Sequence, residues 1–138
     1  MPKTQTKAKQ KSIIWVEDEQ QLIDLYTDVV KAAGNFKVEF MMLGQLALDR
    51  IKDIEQGKAE KPDLMMLDLL LPDVNGNKIL EQLRKTPATK DVPVFILTNY
   101  GGELMQEKMT KELDAEKYLV KTEWTPLKLI PLIKEALK

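Results

Sequence analysis

The chain contains no cysteine and no histidine. The first absence removes a disulfide framework and thiolate metal sites. The second removes the imidazole base, nucleophile and ligand, and with them most hydrolase triads and zinc chemistry. No apolar stretch approaches the roughly 20 residues of a membrane span, and the N-terminus lacks the apolar centre of a signal peptide. A cytoplasmic protein with no membrane partner is expected. What is present is 138 residues, 43% hydrophobic and 31% charged, the balance of one domain around one core.

Charge is spread unevenly. Met1 to Lys11 holds four of the 21 basic side chains (Lys3, Lys7, Lys9 and Lys11), no acid and almost nothing apolar. Residues 1–11 therefore read as a disordered tail, a solubilising extension or a weak electrostatic tether, and residues 12–138 as the domain. Without the tail, 17 basic groups face 22 acidic ones. An acidic domain argues against nucleic acid as the main partner.

From Ser12 strands and helices alternate. Ile13 to Val16 reads as a buried strand, and Leu22, Leu25, Tyr26, Val29, Val30 and Ala33 recur at helical spacing up to Gly34, a C-terminal cap. Val38 to Met42 is a second strand, followed by a helix with Leu46, Ala47, Ile51 and Ile54 inward. Leu64 to Leu67, opened by Pro62, is a third, short enough and apolar enough to be buried on both faces; Ile79, Leu80 and Leu83 line its helix. Val92 to Leu97 is a fourth strand, with Leu104, Met105, Met109 and Leu113 marking a helix whose two methionines read as core. Tyr118 to Val120 is the fifth, and Leu127, Leu129, Ile130, Ile133 and Leu137 line the last helix. Thr125 is placed to cap that helix, Pro126 to open it, and Pro131 to kink it or delay its start. Five such repeats make an α/β doubly wound parallel sheet, of which 2-1-3-4-5 is a common strand order.

That order brings four strand ends to one rim: Glu17-Asp18-Glu19, Asp68, Thr98 and Lys121. Two unit charges about 4 Å apart repel by roughly 4 kcal/mol near a protein surface, so neighbouring carboxylates there need a cation. Oxygen ligands without nitrogen or sulfur select magnesium, manganese or calcium, and magnesium is the one expected in a cell. Magnesium also takes phosphate oxygen. Asp68 then has the chemistry of a carboxylate nucleophile toward phosphorus, with Lys121 neutralising developing charge and Thr98 bonding a phosphoryl oxygen. Each residue also has a plainer reading. Glu17 and Asp18 suit a helix N-terminus, Thr98 a strand, Lys121 a solvated surface and Tyr118 a core with a wet hydroxyl. Together at one rim they favour the functional reading.

The segments V-E-D-E at 16–19, L-D-L-L-L-P-D-V-N-G at 67–76, I-L-T-N-Y-G at 96–101 and Y-L-V-K at 118–121 resemble a bacterial response-regulator receiver domain of the chemotaxis-regulator type. The likeness runs from Ser12 to the C-terminus. It implies a flavodoxin-like fold of five strands and five helices. Asp68 is the implied phosphoacceptor, and Glu17, Asp18, Asp68 and the backbone carbonyl of Leu70 the implied Mg2+ ligands. Thr98 and Lys121 match the switch hydroxyl and lysine, and Tyr118 the aromatic that turns inward as Thr98 moves. The implied function is a stand-alone response regulator of a two-component phosphorelay, a switch that catalyses only its own phosphorylation and dephosphorylation. Its partners are a sensor histidine kinase or phosphotransfer protein upstream and an unidentified protein downstream, docked on the fourth helix, fifth strand and fifth helix. Trp124 is either an anchor for that partner or a cover for the sheet edge. The chain is expected to be a monomer or a phosphorylation-dependent dimer.

Four departures from the family pattern carry consequences. Thr122 replaces the proline after Lys121, which makes a cis bond there improbable at a cost of about 3 kcal/mol. Asn99 replaces a small residue and narrows access to Asp68. Leu70 and Tyr100, at positions that tune hydrolysis in the family, have little capacity to orient water, so a long-lived aspartyl-phosphate is expected. Asp114 replaces a helix-ending glycine, tolerably, since Asp visits the left-handed region readily. A phosphorelay shuttle between histidine-containing proteins is the alternative. A flavodoxin-type cofactor binder is disfavoured because Glu17-Asp18-Glu19 repels phosphate. A haloacid-dehalogenase-type phosphatase is disfavoured because Leu70 stands where its second aspartate belongs.

Overall fold

Strand side chains alternate in direction, and in the three central strands both sets are largely apolar, so the sheet is covered on both faces. The computed structural model describes residues 10–138. Its strands are β1 (Ser12–Val16), β2 (Lys37–Met41), β3 (Leu64–Leu67), β4 (Val94–Thr98) and β5 (Lys117–Val120). All neighbours pair in parallel, in the order β2-β1-β3-β4-β5. Ile14, Val16, Met65, Leu67, Val94 and Ile96 face one layer, with Ala47 and Ile51 of α2 (Gly44–Glu55) and Ile79, Leu80 and Leu83 of α3 (Gly76–Lys85). Ile13, Trp15, Leu64, Met66, Phe95, Leu97 and Leu119 face the other. Against these lie Tyr26, Val29 and Val30 of α1 (Gln20–Ala33) and Leu129 and Ile133 of α5 (Pro126–Ala136). Trp124 packs against this second layer, which favours the covering role over the anchor.

Several expectations shift in detail. β4 begins at Val94 rather than Val92, because the Val92 amide closes a turn on the Thr89 carbonyl and Pro93 has no N–H for the ladder. β2 ends at Met41 rather than Met42. Leu25, Leu46, Leu104 and Leu127 face solvent at the flanks of their helices, and Ile23, which the stripe omitted, is buried. Thr125 occupies the N-cap position of α5 without a side-chain capping bond, and Pro131 lies inside the helix without delaying its start at Pro126.

The fourth helix departs most. α4 spans only Glu103–Glu107 and continues as a π-helical segment, Lys108–Glu112, where the Leu113 amide reaches back to the Lys108 carbonyl. Met109 in this segment is fully buried, and Met105 packs beside it. Its far end is held by Arg84 of α3. That guanidinium donates to the carbonyls of Leu113, Lys90, Val92 and Asp114 at 2.8, 2.9, 2.8 and 3.0 Å. Burial lowers the Arg84 pKa from its ordinary value. Asp114 turns the chain in the left-handed region, φ 55°, as its residue type permits. At the near end Gly101 and Gly102 have open space around them, and Gly102 takes φ 133°.

The tail expectation for residues 1–9 lies outside the described residues. Gln10 and Lys11 are tied to the domain: the Gln10 amide bonds Asn35, and the Lys11 carbonyl accepts the Lys37 N–H. No cis peptide bond occurs among the described residues, so Lys121–Thr122 is trans. No helix among them is long and apolar enough to cross a membrane.

Candidate functional site

The sheet delivers its polar groups where the ladders end. Glu17 and Asp18 follow β1, Asp68 follows β3, Thr98 closes β4 and Lys121 follows β5. Backbone bonds carry the ladder one residue further: Asp68 N–H to Val16 O at 3.2 Å, and Lys121 N–H to Thr98 O at 2.8 Å. Alternation then decides direction. Glu17, Asp68 and Lys121 continue the alternation of Trp15, Met66 and Leu119, and Thr98 that of Ile96, so the rim draws on both faces of the sheet.

Asp68 is 4% exposed and each of its oxygens is engaged. Oδ1 accepts the Thr98 hydroxyl at 2.7 Å and the Leu70 amide at 3.0 Å; Oδ2 accepts the Lys121 ammonium at 2.7 Å. The same ammonium lies 2.8 Å from Glu17 Oε1, while Glu17 Oε2 accepts the Glu19 amide. Lys121 is thus the cation that two buried carboxylates require. Burial raises the Glu17 pKa against the pull of Lys121. Burial acts to lower that of Lys121, but its bonds to Asp68 and Glu17 outweigh it and hold the ammonium above its usual range.

The loop after Asp68 is fixed at both ends. Gly76 opens α3 so close to β3 that an added Cβ would lie 2.2 Å from the Asp68 carbonyl oxygen and 2.7 Å from Leu69 Cα. Its amide bonds Leu69 O, and Leu70 pairs with Asn75 in an isolated antiparallel bridge. At the loop's tip Asp73 accepts the first amides of α2, Gly44 at 2.8 Å and Gln45 at 2.9 Å. These N–H groups, Gln45 first, hold its carboxyl below the usual range. The side chains of Leu70 and Tyr100 are both largely exposed, as is Asn99 beside Thr98.

The structure brings together Glu17, Asp18, Asp68, Thr98 and Lys121, with the Leu70 backbone against Asp68. Tyr118 stands one step away. Its ring is buried and its hydroxyl donates to the Tyr100 carbonyl, so it touches the loop after Thr98 rather than the carboxylates. Asp73 and Arg84 were not singled out from the sequence. The Pro-Asp dipeptide could have flagged Asp73 as a turn residue with a free carboxylate, whereas nothing in the spacing of Arg84 signals its four carbonyl partners.

One oxygen each from Glu17, Asp18 and Asp68 lie within 4.8 Å of one another, with Asp18 only half-buried. An all-oxygen set of this size fits a hard divalent cation that keeps several waters.

A five-stranded parallel sheet of order 2-1-3-4-5 with an acidic pocket and a lysine at its switch point defines the receiver class, and residues 13–134 match the family model of the response regulator receiver domain. The chain belongs to that family, the receiver domain of two-component response regulators. It is 34% identical over 127 residues to the regulatory protein VanRc of Enterococcus gallinarum, covering 91% of this chain and 49% of that protein. To the transcriptional regulatory protein CpxR of Escherichia coli K12 it is 35% identical over 109 residues, covering 79% and 42%. The chain spans about half the length of the curated relatives it matches or less. Among solved structures, the phosphorylated cyanobacterial phytochrome response regulator RcpA is similar, with TM-score 0.76, 26% identity and coverage of 92% and 91%. The Mn2+-bound form of response regulator Rcp1 gives 0.75, 26%, 91% and 90%.

Proposed function

We propose that Asp68 accepts a phosphoryl group and that the chain is a two-state signalling switch. The observation that carries this reading is the division of the Asp68 carboxylate between Thr98 and Lys121, beside two further acids. Lys121 and Thr98 approach from β5 and β4 and are placed to bond the oxygens of a group added to Asp68. The Leu70 amide keeps the carboxylate oriented, and the Gly76 contact keeps its strand against α3. Mg2+, held by Glu17, Asp18, Asp68 and the Leu70 carbonyl, would supply the remaining positive charge that phosphoryl transfer requires.

Thr98 and Tyr118 are linked through the loop at Tyr100, so a shift of the Thr98 hydroxyl bears on the surface of α4, β5 and α5. That surface is the proposed docking face for a downstream protein, with a histidine kinase or phosphotransfer protein upstream, in the cytoplasm. The reading includes action by docking, without an attached output module. A native protein much heavier than 15.8 kDa overturns that part.

The experiment is to add acetyl phosphate, with and without Mg2+, to wild type and Asp68→Asn and to measure mass. A Mg2+-dependent gain of one phosphoryl group in wild type alone is expected. No adduct in wild type sinks the reading. Return of the group to a phosphotransfer protein would identify the shuttle instead.

A further inference from the structure

Three of the groups proposed to hold Mg2+ are the side-chain carboxylates of Glu17, Asp18 and Asp68, which can turn to meet an ion. The fourth, the Leu70 carbonyl, lies in a planar peptide unit, and only the conformation of its loop can aim it. The Leu70 side chain is largely exposed and gives the loop little packing. On the inner side the loop is held by the Gly76 amide on Leu69 O and by the bridge between Leu70 and Asn75. Its outer part, Leu71 to Val74, needs a separate support.

The start of α2 supplies that support. Leu43 stands at the N-cap position of α2 with no side-chain capping bond, and no acid lies in the first turn. The amides of Gly44 and Gln45 find their acceptors 29 and 28 residues further along the chain, in the two carboxylate oxygens of Asp73, at 2.8 and 2.9 Å. Apolar groups meet at the same junction. A Cβ added to Gly44 would lie 3.1 Å from Val74 Cβ and 3.2 Å from Leu71 Cδ1, and Leu71 in turn packs on the core. A cap within α2 would satisfy amides at that helix start and leave the loop untied, whereas a cap from the loop does both.

We propose that Asp73 is a positioning residue of the Mg2+ site, fixing the loop that presents the Leu70 carbonyl by seating both carboxylate oxygens on the first amides of α2. This rests on the reading of Glu17, Asp18, Asp68 and Leu70 as the metal-holding set. Asp73 acts through the backbone and not as a ligand.

The test separates a cap from a clamp. Mg2+ affinity, by isothermal titration calorimetry, and urea midpoints are measured for wild type, for Asp73→Ala, and for Asp73→Ala with Leu43→Ser, which gives α2 a capping hydroxyl of its own. Asp73→Ala is expected to bind Mg2+ about tenfold more weakly and to unfold at lower urea. Adding Leu43→Ser is expected to bring the urea midpoint back toward wild type while Mg2+ affinity stays low. Wild-type affinity in Asp73→Ala overturns the proposal. So does recovery of affinity together with stability in the double variant, which would make Asp73 a cap for α2 alone. Absence of Mg2+ binding in wild type would instead remove the metal reading, and this proposal with it.

Discussion

Thr98 donates its hydroxyl hydrogen to Asp68 Oδ1 across 2.7 Å, both side chains buried. The hydroxyl that the proposed switch recruits is already seated on the acceptor, and has only to pass from a carboxylate oxygen to a phosphoryl oxygen. Thr98→Val keeps the shape and removes this bond. An unfolding free energy lower by about 1–2 kcal/mol is expected, with slower phosphorylation by acetyl phosphate, while Thr98→Ser retains the bond and most of the rate. Urea denaturation and mass measurement check both, and a Thr98→Val protein as fast and as stable as wild type would refute the role.

Lys121→Met leaves Glu17 and Asp68 side by side and buried without their shared cation. Breaking a buried pair from one side costs about 3–5 kcal/mol. The loss is expected in metal-free buffer and should be partly restored by Mg2+, which distinguishes it from a loss of packing. Unfolding curves at several Mg2+ concentrations read this directly.

At Gly76 the requirement is close approach, since its φ is unremarkable while the atoms facing it are backbone. Backbone does not yield as the end of a flexible side chain does. Gly76→Ala is expected to cost more than about 3 kcal/mol or to move α3 off the Asp68 strand. A variant with native unfolding behaviour and native phosphorylation would contradict this contact.

Leu70 and Tyr100 are bulky and exposed, 52% and 43%, and offer no carboxylate or amide to orient a hydrolytic water. The aspartyl-phosphate is therefore expected to be long-lived. Replacing the pair by Leu70→Asn with Tyr100→Glu should shorten its half-life, followed by decay of the phosphorylated mass. A half-life left alone or lengthened by the double change counts against the expectation.

Burial raises the Tyr118 pKa from 10.0 to about 12. Between those values the folded protein holds a proton that the unfolded chain has released, so stability falls as pH rises through this window. Tyr118→Phe is expected to lessen that alkaline slope while leaving the slope below pH 10 unchanged, Tyr26, raised by burial to about 12, keeping its own share. Urea midpoints from about pH 9 to pH 12 test it.

The strand ends were legible because parallel strands buried on both faces leave an unbroken apolar run with a polar residue at its exit, as in Leu64 to Asp68 and Val94 to Thr98. The site followed, since one topology gathers those exits. What stayed hidden depends on three-dimensional neighbours. Leu104 carries the helical spacing of a core residue but lies 85% exposed, because the fourth helix is short and slips into a wider turn around Met109. Spacing cannot show that slip. Asp73 and Arg84 act on segments roughly 30 residues away, through backbone groups that no side-chain pattern records.

Arg84 and the glycine pair at 101–102 together make the fourth helix a lever with a fixed fulcrum. Arg84 ties two carbonyls at the helix's far end, those of Leu113 and Asp114, to α3 and to the Lys90 and Val92 carbonyls of the turn before β4, whereas its near end hangs from two glycines at which an added Cβ would meet open space. Any swing is largest at Glu103 and Leu104 and dies out by Asp114. A partner that senses the swing must grip the Leu104 end, and one that grips only the anchored end is blind to it.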